Sequence, residues 1–305
     1  MVFRILIISF LYLNFCYGQE AIEINQKFNS NNIYKYQIIR GEIDSRKPNQ
    51  ENLNIITDVT LKVKKEKKNI FHLSWTYENS TTQGVDFNLL DEKSKKQINI
   101  YKGFRIDFSI NENGQLIEFL NFPECKSKLK EIMKNQYIES NSNYITESEI
   151  SNFLIFLNDS MYSPEILIST YFPEINLFFS MNGENIDIKK TKIENAEIPN
   201  PFGGPSFNSI IETKTEKIND SNYIIVCQQS IEKKELNQKL EETFKNISKN
   251  TGKPFNDEDV QKFNIASSTK YEYNITEKII AKIIYQKRIN SKDIEKVQLL
   301  EIKLK

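Results

Sequence analysis

Apolar side chains recur at every second position through long stretches of this 305-residue chain. That period matches a half-buried β-strand and no helix. Tyr34, Tyr36 and Ile38 share one side of a run that Gly41 ends. Leu53, Ile55, Val59, Leu61 and Val63 alternate through a longer one. Phe71, Leu73, Trp75 and Tyr77 then place four large side chains on one side, with His72 on the other. Val85, Phe87 and Leu89 form a shorter run. Phe104, Ile106, Phe108 and Ile110 alternate up to Asn113-Gly114, a turn signal, and Leu116 to Leu120 return. The early half therefore reads as a meander of antiparallel strands with one aromatic-rich inner face.

Helical spacing takes over in the middle. Leu129, Ile132 and Met133 follow Pro123 at helical intervals, and Thr146-Glu147-Ser148-Glu149 is a capping box that opens Ile150 to Leu157. Tyr171 to Ile175 and the apolar residues after it carry neither clear period. Strands resume at Ile186 and Ile188, and continue at Ile210 to Thr215 and Tyr223 to Cys227. A polar helix spans about 234–249, a short one Asp257 to Phe263, and three strand-like segments end the chain. Helices that interrupt groups of strands, without alternating with single ones, predict an antiparallel sheet. The expected class is α+β: a large, curved, half-barrel-like antiparallel sheet interrupted by a few helices.

The N-terminus bears on where such a fold operates. Arg4, the apolar stretch Ile5 to Phe15, and Cys16-Tyr17-Gly18 before Gln19 read as a cleavable signal peptide over residues 1–18. Bulky Phe15 argues against lipid anchoring at Cys16. No later segment is long and apolar enough to span a membrane as a helix. The expectation is a secreted or periplasmic chain, with 19–305 a single strand-rich domain carrying helical insertions near 123–160 and 234–264. Cys125 and Cys227 remain after the leader; in an oxidising compartment they could pair or stay apart.

Little in the sequence suggests catalysis. His72 is the single histidine, so metal sites and nucleophile–histidine arrangements lack partners. Asp257, Glu258 and Asp259 suit the first turn of a helix. Gly203-Gly204 lacks the Lys-Ser/Thr of a phosphate loop. Lys plus Arg equal Asp plus Glu at 41 each, so no net field draws the chain to nucleic acid. The abundance of Asn is what an AT-rich genome produces, and is no evidence by itself of carbohydrate binding. The expectation is no enzyme, no cofactor and no metal.

Three features carry a resemblance: the leader ending Tyr17-Gly18-Gln19, the strand Ile33-Tyr34-Lys35-Tyr36, and the block from Tyr171-Phe172-Pro173-Glu174 to Pro199-Asn200-Pro201-Phe202-Gly203-Gly204-Pro205. With these the chain resembles uncharacterised secreted proteins of Gram-negative bacteria, a group that implies no catalytic residue. In architecture alone, a long antiparallel sheet broken by helices is similar to the half-open barrels of periplasmic lipoprotein carriers.

Two functions follow as expectations. One is an exported, non-enzymatic, carrier-like binding protein of the cell envelope, whose sheet holds a hydrophobic ligand against Phe71, Leu73, Trp75, Tyr77, Phe104, Ile106 and Phe108. The other is a structural or protein-interaction module without a small ligand, its partner an envelope protein.

Overall fold

The computed structural model describes residues 21–46, 54–67, 69–141, 146–161, 163–198, 206–251, 263–291 and 294–305. The expected leader 1–18 with Cys16, the block 199–205 and most of the expected helix 257–263 lie outside the described residues.

Eleven strands form one open antiparallel sheet. Along the chain they are β2 (Ile33–Asp44), β3 (Asn54–Lys67), β4 (Ile70–Gln83), β5 (Arg105–Ile110) and β6 (Leu116–Phe119), then β8 (Lys192–Ile198), β9 (Phe207–Lys217), β10 (Asn222–Ile231), β11 (Asn264–Asn274), β12 (Ile279–Ser291) and β13 (Ile294–Leu304). The spatial order is β6-β5-β4-β3-β2-β13-β12-β11-β10-β9-β8. Each half is a meander, and the pairing of β2 with β13, the first and last of these strands, joins the halves. A separate ribbon pairs β1 (Ala21–Ile24) with β7 (Glu184–Asp187). The α+β antiparallel architecture read from the alternation is the one observed, and the sheet does not close into a barrel.

One face of this sheet is covered. Val63, Leu73 and Phe108 lie opposite one another across three strands, as do Leu61, Trp75 and Ile106. All six are buried. Their cover comes from the connection between β6 and β7: α2 (Phe122–Ser140), α3 (Glu147–Ser160), α4 (Pro164–Tyr171) and α5 (Pro173–Phe179). The capping box at Thr146 forms in both directions, with Thr146 Oγ1 accepting from Glu149 N and Glu149 Oε2 accepting from Thr146 N. Tyr137 of α2 stacks on Phe153 of α3 at 4.1 Å between ring centroids.

Two segments differ from the alternation. Phe87–Leu89 is a 3-10 turn, because Asp86 caps it by accepting from Asn88 N, and α1 (Glu92–Ile98) follows. The stretch after Tyr171, which has neither period, is helical. Pro173 starts α5, where its missing N–H is no loss. A helix buried nearly all round shows no amphipathic spacing: Ile175, Phe178 and Phe179 all lie in the core.

The opposite end of the same face has its own cover. The helix α6 (Lys233–Thr251) sets Leu236 and Leu240 against Ile198, Phe207, Ile231 and Ile265, a second apolar cluster. Cys125 and Cys227 are both free.

Candidate functional site

The aromatic face named from the sequence is occupied by the chain itself. Leu73, Trp75, Tyr77, Phe104, Ile106 and Phe108 are at most 1% exposed, and Phe71 is partly exposed at their margin. Phe172 stacks on Phe104 at 5.0 Å and lies 5.5 Å from Tyr77. Phe178 meets Trp75 edge-on at 5.4 Å, and Phe179 meets Phe108 at 5.1 Å. Aromatic pairs at such spacings add to the area they bury. The structure thus brings the seven residues together and fills the space before them with side chains from α4 and α5.

A polar lock fixes this cover. Glu174, fully buried at the start of α5, accepts hydrogen bonds from Arg40 of β2 and from the Tyr77 hydroxyl of β4, the latter at 2.5 Å. Burial and the neighbouring Glu174 carboxylate push the Tyr77 phenol well above its ordinary pKa. Two strands and one helix converge on a single carboxylate, which sets where α5 sits.

The open part of the covered face lies between the two apolar clusters. Thr213, Cys227 and Thr269 are opposite one another on β9, β10 and β11, and Ile211, Gln229 and Ser267 form the next row. Five of these six inward side chains, all but Ile211, are small or polar, and in register across three strands they leave room that rings at the same positions would fill. A cavity of about 280 Å³ results. Leu177, Met181 and Ile186 form its apolar wall, and Tyr271 and Tyr285 close its floor toward the aromatic core.

Its polar groups are arranged by fixed contacts. The hydroxyls of Ser180 and Tyr271 are 2.9 Å apart. Thr213 Oγ1 donates to Cys227 Sγ at 3.5 Å, and Gln229 Nε2 donates to Ser209 Oγ at 2.9 Å. At one rim Lys192 lies between Glu184 at 2.6 Å and Glu194 at 3.0 Å. The hydrogen bond from Glu184 raises the lysine's pKa and keeps it charged. Lys287 lies opposite Ser267 on β12 and faces the same side. Burial alone lowers its pKa, and no ion pair engages it among the described residues.

Burial raises the Cys227 thiol, so it stays protonated at neutral pH and is a poor nucleophile. His72 projects from the opposite face of the sheet, as the register of β3 with β4 requires. Sequence reasoning reached β9, β10 and β11 as strands but missed this cavity. The signal was present in Thr213, Cys227, Gln229, Thr269 and Ser267, where inward positions turn small or polar between apolar ones. Reading it as a pocket requires the register, which no single strand carries.

No family model and no curated protein matches the chain. Among solved structures it is similar to one described as lipid–protein interactions in lipovitellin, at 9% identity and a TM-score of 0.44, over 92% of this chain and 25% of that one. The chain thus spans about a quarter of that structure's length.

Proposed function

We propose that this chain is an exported, non-enzymatic binding protein of carrier type that holds one small amphipathic molecule in the cavity between its two helical covers. The observation that carries this reading is the in-register polar break in an otherwise apolar face, walled by Leu177, Met181 and Ile186. The ligand's apolar body rests on that wall. Its polar end meets Gln229 and Ser267. A volume of about 280 Å³ stands at the small end of ligand pockets, which run from roughly 300 to 1,000 Å³. The cargo is therefore compact, and the aromatic face of Phe71 to Phe108 serves as scaffold.

A second reading, a protein-interaction module of the envelope, is favoured by α3, where Ile155 and Phe156 are 59% and 63% exposed. Native mass spectrometry of the chain purified without detergent separates the two. A co-purifying small mass, released on denaturation, supports the carrier. A bare chain that crosslinks through α3 in its own cell supports the module.

A further inference from the structure

The outward side of the sheet carries a line of lysines. Leu61 and Val63 of β3 point into the core, so by alternation Lys62 and Lys64 project from the other side. Lys35 does the same beside the buried Tyr36 on β2, and Lys303 beside the buried Ile302 on β13. Register sets their spacing. Lys303 lies opposite Gln37, two residues from Lys35, and Lys35 lies opposite Thr60, two residues from Lys62. Such diagonal neighbours stand about 7–8 Å apart, and Lys62 and Lys64 about 7 Å apart along their strand. The four form one line across three adjacent strands.

All four are exposed, and none has an ion-pair partner among the described residues. On this side of the sheet Asp58 holds Lys305 at 2.5 Å, Asp107 holds Arg105 at 2.9 Å and Glu301 holds Lys282 at 3.1 Å. These acids are thus already matched. Like charges held this close repel one another, so the line gives the fold nothing in return for that cost.

Apolar side chains stand at the same end of the same face. Ile33 lies opposite Lys62 and is 57% exposed. Ile70, two residues before His72 on β4, is 39% exposed, and His72 lies opposite Lys64. Exposed isoleucines among cations suit a surface that is anionic at its boundary and apolar just beneath.

We propose that this end of the outward face docks on an anionic lipid bilayer, with Lys303, Lys35, Lys62 and Lys64 over the headgroups and Ile33 and Ile70 in the interface. The lysines supply attraction to the surface charge. The isoleucines favour a bilayer over a soluble polyanion, which would leave them in water. Lys plus Arg equal Asp plus Glu at 41 each, so the attraction acts only near contact, within a Debye length of about 10 Å. The covered face and its cavity stay free in this orientation, and the proposal is independent of the carrier reading.

The test is co-sedimentation of the purified chain with vesicles of phosphatidylglycerol and phosphatidylcholine in equal parts, set against phosphatidylcholine alone. Binding is expected to the mixed vesicles only, and to fall as salt is raised. Lys35→Gln, Lys62→Gln and Lys64→Gln should each weaken it by about fivefold, and together by on the order of a hundredfold. Ile33→Ser should weaken it by about fourfold or more without changing the salt dependence. All these side chains are exposed, so the melting temperature should stay level in each variant. Lys214→Gln, exposed on the outward side of β9 in the other half of the sheet, should leave binding unchanged. No binding to the mixed vesicles, equal binding to phosphatidylcholine alone, or the same loss in Lys214→Gln overturns the proposal. So does binding that Ile33→Ser leaves intact and soluble polyglutamate abolishes, which would assign the lysines to a polyanion.

Discussion

The Arg40–Glu174–Tyr77 cluster makes an asymmetric prediction about stability. Arg40→Met strands a carboxylate with no solvent exposure, whose Oε2 already lacks a partner. Removing one partner of a buried pair typically costs about 3–5 kcal/mol, and the complete burial of Glu174 puts this variant near the middle, at about 4 kcal/mol. Glu174→Leu strands Arg40 instead, but that side chain is 32% exposed and can turn to water. What remains is the lost bond to a charged group and an unpaired Tyr77 hydroxyl, together about 2 kcal/mol. Two apolar residues in the double variant strand no charge, so its cost should fall short of the sum by about 2–3 kcal/mol. The assay is urea unfolding followed by tryptophan fluorescence. Trp75 is the single tryptophan, fully buried and 5.4 Å from Phe178 of the helix that Glu174 starts. The comparison holds where the slope with urea is unchanged. Costs that add to within about 0.5 kcal/mol, or an Arg40→Met no worse than Glu174→Leu, would refute the reasoning.

Other outcomes follow from the same packing. Burial raises the phenols of Tyr36, Tyr77 and Tyr271 and pushes the Cys125 thiol up to about 12. Their neutral forms are favoured in the fold, so stability is full below about pH 8.5 and falls at higher pH as the unfolded chain ionises first; a melting temperature flat from neutral pH to pH 11 contradicts this. Thiol labelling at pH 8 in native buffer should be slow at both cysteines, with Cys227 ahead of the more buried Cys125, and rapid modification of Cys125 would show α2 to be loosely seated. Thr146→Ala should cost about 1 kcal/mol by removing the capping box of α3, and a loss below about 0.3 kcal/mol would show that end of the helix to be frayed. Phe178→Ala should cost about 3–5 kcal/mol, since the ring contacts Tyr36, Trp75 and Phe179.

The parts of this fold legible in the sequence are those governed by local chemistry. The alternation of Leu73, Trp75 and Tyr77 opposite His72 is a property of one strand, and so are the Asn113-Gly114 turn and the Thr146 capping box. What escaped depends on partners far along the chain. The helix after Tyr171 buries most of its apolar residues, so they show no period to read. The aromatic face looked open because nothing local shows that Phe172, Phe178 and Phe179 return to cover it. The cavity arises from the opposite case, in which Thr213, Cys227 and Thr269 are unremarkable singly and form a gap only in register.

The binding of a compact apolar probe at that gap tests the central claim most directly. The measurement is fluorescence titration of the chain with 1-aminoanthracene, alongside Ser267→Phe, which projects a ring into the cavity from β11 where strand propensity tolerates it. The carrier account predicts a saturable one-to-one enhancement that Ser267→Phe weakens by about tenfold or more while urea stability is kept. No saturable enhancement, or equal affinity in the filled variant, would contradict it.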